Sequence, residues 1–148
     1  MTTGNTDTYV EVQLRHLIAD QMSAIGVKDL HRLMTHYAAD VVVFDVKPPF
    51  QTTGADAWRR TWEASLPYFP ASFQTEMRDL RLTASGDVAL AHWLLRFTGM
   101  DKDHPAMQTW RRITAGYRQI RGRWQIVHEH ASVPFDPETS RAVFTLEP

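Results

Sequence analysis

The sequence contains no cysteine, which excludes disulfides, thiolate metal ligands and a cysteine nucleophile. No stretch approaches the roughly 20 apolar residues that a membrane-spanning helix needs. There is no glycine-rich phosphate loop and no nucleophile elbow. Basic residues are not in excess, since 16 Lys and Arg stand against 17 Asp and Glu, so nucleic-acid binding is not expected. The polar first residues predict no signal peptide, and we expect a cytoplasmic protein without a membrane span.

The composition that remains is that of one ordinary globular domain. Hydrophobic residues make up 43% and charged residues 22% of the 148 residues, which is typical of a protein with one sizeable core. No internal repeat, low-complexity tract or linker interrupts the chain. We therefore predict a single domain over residues 1–148.

The first half of the chain has the periodicity of helices. Apolar residues recur there at three- and four-residue spacing, which predicts helices over residues 7–26, 29–37 and 53–67. Gly26 ends the first of these helices, and Thr53 with Asp56 has the pattern of a capping box for the third. A β-branched strand precedes the third helix and stops at Pro48.

The second half has the alternation of strands. Period-two patterns predict strands over residues 72–83 and 88–98, then a hairpin over about residues 107–132 that turns at Arg121-Gly122. Helices followed by strands indicate an α+β fold, with three N-terminal helices packed on one face of a strongly curved antiparallel sheet. Such a sheet leaves a ligand pocket between itself and the helices.

The hairpin has two mixed faces, because successive side chains of a strand point to opposite sides. Its odd-numbered face contains Arg111, Tyr117, Val127 and Glu129. Its even-numbered face contains Trp110, Arg112, Trp124, His128 and His130. Neither face is purely polar, so we expect both to be covered.

Three segments in this order carry a family resemblance. They are YAADVVVFDVKPPFQTTGADAW (residues 37–58), GDVALAHW (86–93), and TWRRIT followed by GRWQIVHEHASVPFD (109–136). The chain resembles the SnoaL-like, ketosteroid-isomerase-like branch of the nuclear-transport-factor-like superfamily over nearly its whole length. The resemblance implies a cone-shaped α+β barrel, usually a homodimer joined through its sheet faces. Members of this superfamily include isomerases, dehydratases, hydrolases, cyclases and non-catalytic binders.

The resemblance also implies pocket residues. Asp45 takes the position of the catalytic aspartate of ketosteroid isomerases, enzymes in which an aspartate base works beside an oxyanion hole; its alternative is a turn aspartate that accepts backbone N–H bonds. Gln21 lies where those isomerases have an oxyanion-hole tyrosine, and Tyr37 and Trp62 lie where they have supporting tyrosines. Their second oxyanion donor, an acid at the start of the hairpin, is missing, which argues against steroid isomerisation. Arg111 can replace that donor for an anionic substrate or an enolate.

Other pocket residues follow from the face that the family turns inward. Glu129 is either an acid–base group or the salt-bridge partner of Arg111 across the hairpin. We expect an apolar wall from Trp93, Leu95 and Phe97. The same face adds Tyr117 and Val127 to the predicted substrate-binding residues.

The histidines of the even face have a metal interpretation and a structural one. His128 and His130 share a strand face, but a metal site would need a third ligand such as His92. We expect no metal and no cofactor. We predict instead that the even face, with Trp110, Arg112 and Trp124, forms the dimer contact.

The leading hypothesis is a cofactor-free isomerase, cyclase or dehydratase that acts on a small hydrophobic or carbonyl-containing substrate. Asp45 would abstract a proton next to a carbonyl group, and Gln21, Arg111 or Tyr37 would stabilise the oxyanion. A non-catalytic ligand-binding or scaffold dimer is the alternative, supported by the missing isomerase donors. A metal enzyme using His128 and His130 is the third possibility.

Overall fold

The chain folds as three helices and a sheet that packs against them. The structure, a computed structural model, describes residues 8–104 and 109–148. The helices are α1 (Thr8–Gly26), α2 (Leu30–Met34) and α3 (Ala55–Ser65), and a 3₁₀ turn (Leu66–Tyr68) follows α3. No helix in these two ranges is long and apolar enough to cross a membrane.

The sheet has six strands. Their bounds are β1 (Tyr37–Phe44), β2 (Thr52–Thr53), β3 (Gln74–Ser85), β4 (Val88–Thr98), β5 (Arg111–Ile120) and β6 (Arg123–Ser132). They are hydrogen-bonded in the order β2-β1-β6-β5-β4-β3. Two short strands, β7 (Phe135–Asp136) and β8 (Arg141–Ala142), pair with each other outside this sheet.

The predicted α+β class, with helices packed on a curved sheet, is confirmed. Two details differ. The sheet is open rather than closed into a barrel, and β1 runs parallel to β6 while the other pairs are antiparallel. Parallel neighbours need a crossover connection, here the chain from β1 to β6 that includes α3 and strands β3 to β5. The alternation within one strand does not reveal the direction of its neighbour.

Two predicted helix boundaries are wrong for local reasons. The second helix ends at Met34, and Tyr37 already begins β1. Thr53 does not cap α3, because it pairs with Val42 between β2 and β1. The N-cap is Gly54, whose φ of +94° suits glycine, and no side chain caps this helix.

Gly26 determines how α1 meets the sheet. Its carbonyl oxygen accepts a hydrogen bond from the backbone N–H of Phe73 at 2.9 Å. A Cβ atom on residue 26 would lie 2.5 Å from the Phe73 carbonyl oxygen, so only glycine fits this contact. The helix end predicted here is confirmed, whereas the predicted helix start near Asp7 and the predicted loop end at Pro105 lie outside the described residues.

A β-bulge in β6 changes which side chains of the hairpin face the helices. Gly116 of β5 pairs with His128 of β6 and the next residue, Tyr117, pairs with Ile126, so Val127 is an extra residue in β6. The alternation therefore reverses on the turn side of the bulge. Trp124 and Ile126 point into the core there and are 6% and 0% exposed.

The bulge overturns two predictions made from simple alternation. Trp124 is a core residue and not part of an outward interface with Trp110 and Arg112. Val127 is half-buried and does not line the cavity described below. Both errors have the same cause, since one extra residue in a strand exchanges its two faces.

Candidate active site

A cavity of about 200 Å³ lies between the helices and the inner face of the sheet. Most of its lining is apolar and includes Met22, Val43, Trp58, Trp93 and Phe97. Its ionisable and amide residues include Asp45, Glu129, Arg111 and Gln21. An apolar concavity with a few convergent polar groups is typical of small-molecule sites.

The strand register places the charged residues of the cavity at successive positions along the strand direction. Val43 of β1 pairs with Glu129 of β6, and Asp45 follows Val43 by two residues on the same face. Ala115 of β5 also pairs with Glu129, and Arg111 lies four residues before Ala115. At about 3.4 Å per residue, the backbone positions of Glu129 and Arg111 differ by ~13 Å along the strand. Asp45 lies at an intermediate level.

Gln21, Tyr37 and Glu129 form a buried hydrogen-bonded triad. The Tyr37 hydroxyl lies 3.0 Å from both carboxyl oxygens of Glu129 and donates to them. Gln21 Nε2 donates to Glu129 Oε2 at 2.9 Å and to the Tyr37 hydroxyl at 3.1 Å. Gln21 belongs to α1 and Tyr37 to β1, so two different elements hold the carboxyl group of Glu129 on β6.

Glu129 is the carboxyl group that the cavity shields from water. Glu129 is 9% exposed. Burial raises its pKa to about 7, although the hydrogen bonds from Gln21 and Tyr37 lower this pKa. The nearby charge of Asp45 raises this pKa further. Burial, followed by the charge of Glu129, raises the pKa of Tyr37 well above its usual value, so Tyr37 keeps its proton and remains a donor.

Asp45 lines the cavity but is only half-buried. Its Oδ1 accepts a hydrogen bond from the backbone N–H of Val46 at 2.7 Å, which is the contact expected of a turn aspartate. The side chain is thus available to a ligand at the cavity rim. Its role as a base stays a prediction.

Arg111 does not form the predicted salt bridge with Glu129. No carboxylate among the described residues lies within 4.0 Å of its guanidinium group, and the level difference along β5 and β6 explains why. Arg111 Cζ lies instead 4.7 Å from the centre of the Phe97 ring. Burial lowers the pKa of Arg111, and the charge of Asp45 partly opposes this effect.

The three residues of the predicted apolar wall lie side by side along one strand of the cavity. Trp93, Leu95 and Phe97 of β4 are 2–5% exposed and line the cavity. Trp62 of α3 also lines it. Among the predicted substrate-binding residues, Tyr37, Tyr117 and Val127 do not line it; Tyr117 is buried, and its hydroxyl has no hydrogen-bond partner in the described chain.

Trp58 is a cavity residue that the sequence interpretation did not select. It is 5% exposed and lines the cavity, with its ring 5.9 Å from that of Trp62 in an edge-to-face contact. The i, i+4 spacing of the two tryptophans was the available signal, since side chains at this spacing share a helix face. Lys47 was missed as well; it lines the cavity and donates to Ser65 Oγ at 3.1 Å.

The histidines of the even face lie on the outer side of the sheet, away from the triad. His128 Nδ1 donates to the Val42 carbonyl oxygen at 2.7 Å, and its ring lies 4.7 Å from Phe44 and 6.5 Å from His130 between ring centres. Within residues 8–104 and 109–148, no group of three potential ligands is arranged to hold a metal ion. His92 therefore does not complete a ligand set in this part of the chain.

Comparisons with solved structures show the same fold in bacterial proteins. An NTF2-like protein of unknown function from Pseudomonas putida KT2440 is 38% identical, with a TM-score of 0.89 over 97% of this chain and 100% of that one. A protein proposed to be a scytalone dehydratase, from Novosphingobium aromaticivorans, is 16% identical, with a TM-score of 0.71 over 95% and 93%. A protein proposed to be a ketosteroid isomerase, from Shewanella frigidimarina, is 16% identical, with a TM-score of 0.66 over 79% and 92%.

Comparison with curated protein sequences gave no significant match. The profile of the SnoaL-like domain, in contrast, matches residues 14–136. This span includes the triad, Asp45, Arg111 and the whole six-stranded sheet. The chain therefore belongs to the SnoaL-like family and has the NTF2-like fold.

Proposed function

We propose that the protein is a proton-transfer enzyme of the isomerase or dehydratase kind, acting on a small carbonyl compound in its cavity. The observation that carries this proposal is a pair of carboxyl groups in one apolar cavity. Glu129 is buried and has a pKa of about 7, whereas Asp45 is half-exposed at the rim. Two carboxyl groups in such different environments are suited to opposite roles as acid and base.

Glu129 is the proposed acid. Near neutral pH a pKa of about 7 leaves much of this group protonated, which is the range where general acids work best. Gln21 and Tyr37 hold the carboxyl group in place by hydrogen bonds to its oxygens, and its proton would be donated to a ligand oxygen. Gln21 and Tyr37 are positioning residues in this scheme.

Asp45 is the proposed base. It would take a proton from the carbon next to the substrate carbonyl while Glu129 donates its proton to the carbonyl oxygen, which yields an enol and leaves the overall charge unchanged. Return of the proton to another carbon gives isomerisation, and loss of a β-hydroxyl group as water gives dehydration. Solved relatives proposed to be a dehydratase and an isomerase support this reaction class.

The test follows proton abstraction directly, without knowledge of the product. Wild-type protein and the Asp45→Asn variant are incubated in D₂O with a panel of cyclic and polyketide-like ketones, with and without a carboxyl group, and exchange at the α-carbon is measured by NMR. We expect exchange to fall at least about 100-fold in the variant, the low end of what a general base contributes. Wild-type exchange should also decrease as pH rises above about 7, because Glu129 then loses its proton.

Asp40→Asn is the matched control for this experiment. Asp40 lies on β1, five residues before Asp45, is exposed, and does not line the cavity, so its substitution should leave exchange unchanged. Undiminished exchange in Asp45→Asn would remove Asp45 from the mechanism. Absence of exchange for every ketone with the wild-type protein would contradict the enzyme proposal.

Non-catalytic ligand binding is the second candidate function. The hydrogen bond from the Val46 N–H to Asp45 favours it, because a carboxylate held by its own turn has a structural role already. Binding of panel ketones by the wild-type protein, with no exchange and no effect of Asp45→Asn, would identify the protein as a binder.

We also propose that two copies pair through the outer face of the sheet. This face exposes apolar side chains on β4, with Val88 and Leu90 46% and 45% exposed, beside the contact of Phe44 with His128 and His130. Exposed apolar groups of this kind favour association. Sedimentation equilibrium should give twice the chain mass of 17.0 kDa; a monomer mass at micromolar concentration would contradict the proposal.

A further inference from the structure

Arg111 is a partly buried cation of the cavity without an ion-pair partner in the described chain. Four arginines nearer the surface, Arg15, Arg32, Arg59 and Arg96, each have a carboxylate oxygen within 3.1 Å. Arg111 has none within 4.0 Å, and its Nε has no hydrogen-bond partner among residues 8–104 and 109–148. Surface pairs contribute little to stability, whereas a buried charge is costly unless it is paired. Arg111 therefore presents a charge to the cavity that no ion pair within the described residues compensates.

The two carboxyl groups of the cavity do not supply this counter-charge. Glu129 is held by Gln21 and Tyr37 and lies opposite Ala115, four residues along β5 from Arg111. Asp45 is close enough for its charge to raise the pKa of Arg111, but it forms no ion pair with it, and its Oδ1 accepts from Val46 instead.

We infer that Arg111 binds a carboxylate of the ligand, and that the substrate is a small cyclic ketone that also carries a carboxyl group rather than a neutral ketone. A guanidinium group is planar and can donate two parallel hydrogen bonds to a carboxylate. The contact of Arg111 with the Phe97 ring supports that plane. Trp93 and Leu95 provide an adjoining apolar surface for the ring.

This inference deepens the proposed function and rests on it only for the identification of the ligand as a substrate. The binding of a carboxylate by Arg111 does not depend on the proposed function. It assigns the anionic end of the ligand to Arg111 and leaves proton transfer to Asp45 and Glu129. Lys47, which also lines the cavity, adds a second positive charge near the rim. The site would therefore discriminate acids from their neutral analogues.

Binding of an anion should be linked to the protonation of the other groups in the cavity. Glu129 and Asp45 are the carboxyl groups of the cavity, and Arg111 and Lys47 are its cations. Tyr37 and Tyr117 do not line the cavity but are buried near Glu129. Tyr37 and Tyr117 stay neutral because their pKa values are raised well above the usual value, mainly by burial. Glu129 becomes charged as pH rises through about 7, so affinity for an acid should decrease over that range.

The test compares acids with their amides, which have nearly the same shape and no charge. Isothermal titration calorimetry at pH 6 would measure cinnamate against cinnamamide and 2-naphthoate against 2-naphthamide. We expect the wild-type protein to bind at least one acid ten times more tightly than its amide. Arg111→Met should abolish this preference by weakening acid binding at least tenfold, with amide affinity changed less than about threefold; Arg111→Lys should restore part of it.

Arg112→Met is the matched control, because the neighbouring arginine lies on the outer face, is exposed and donates to Ser132 Oγ. Its preference for acids should equal that of the wild-type protein. Circular dichroism and urea denaturation verify that Arg111→Met is folded, and its stability should not fall, because it removes a partly buried charge that has no ion-pair partner.

Four outcomes would overturn the inference: equal affinity for acid and amide, failure of both acids to bind, retention of the preference in Arg111→Met, or its loss in Arg112→Met. The proposed function is tested separately by Asp45→Asn. That variant should lose proton exchange and keep the acid preference. An exchange-competent Asp45→Asn variant with an intact preference would refute the mechanism and leave the role of Arg111 standing.

Discussion

The Glu129→Gln variant is expected to gain about 3 kcal/mol in free energy of unfolding over the wild-type protein between pH 4 and pH 8. The folded-state pKa of Glu129 is about 7, against an ordinary value of 4.5. Below pH 4.5 both folded and unfolded chains carry the proton, so the group has no effect. As pH rises, the unfolded chain loses the proton first, and wild-type stability falls until the folded-state pKa is passed. A gap of about 2.5 pH units at about 1.4 kcal/mol per unit gives the expected change.

Glutamine can occupy this position without leaving polar atoms unpaired. Its carbonyl oxygen can accept from the Tyr37 hydroxyl or from Gln21 Nε2, which now donate to the carboxyl group. Its amide can donate to Gln21 Oε1, a buried acceptor without a partner among the described residues. The variant therefore removes the titrating proton and keeps the hydrogen bonds, which is the condition for interpreting the difference in stability as a pKa effect.

Urea denaturation at pH 4, 5, 6, 7 and 8 tests this prediction. The quantity of interest is the difference in free energy of unfolding between variant and wild type, because the other titrating groups are common to both. Glu63→Gln is the control: Glu63 is exposed on α3, and the difference should stay within about 0.5 kcal/mol at every pH. A pH-independent difference for Glu129→Gln would mean that Glu129 titrates alike in folded and unfolded chains. The proposed acid would then lose its main support.

The order of the elements and the inner wall were predictable because they depend on local patterns. The Gly26 helix end, the β4 alternation and the hairpin turn are each encoded within a few residues, and the structure has all three. The β6 bulge was not predictable in this way. Nothing in the run from Trp124 to His130 indicates that Val127 is an extra residue, since this depends on how Gly116 and Tyr117 pair across the hairpin.

Some residues of the cavity and the triad were selected from the sequence, but their geometry was not predictable. Gln21, Tyr37 and Glu129 were selected separately, but their bonds join residues 92 and 108 positions apart in sequence. The triad exists because β1 lies parallel to β6, and no local pattern specifies that pairing. The same register removes Arg111 from the reach of Glu129, which is why the predicted salt bridge is not formed.

Trp93→Ala is expected to destabilise the protein by about 3–5 kcal/mol, the usual range for truncating a large buried aromatic side chain. Trp93 is 2% exposed and pairs with Ile113 at the centre of the sheet. Its indole N–H has no hydrogen-bond partner in the described chain, so the loss is one of apolar contact and not of a polar bond. Trp93→Phe should cost less, because it keeps an aromatic ring in the same place.

Urea denaturation at pH 5 measures the stability of both variants. A comparison with a core residue that does not line the cavity distinguishes two explanations of the result. If Trp93 belongs to the core, Trp93→Ala should be as costly as Ile126→Ala, a core residue that does not line the cavity and is 0% exposed. If the indole mainly borders the cavity, its removal leaves fewer packed neighbours behind, and the cost should fall below about 1 kcal/mol. The second outcome would show that this wall is built for a ligand and contributes little to the folding of the chain, at odds with the near-complete burial of Trp93.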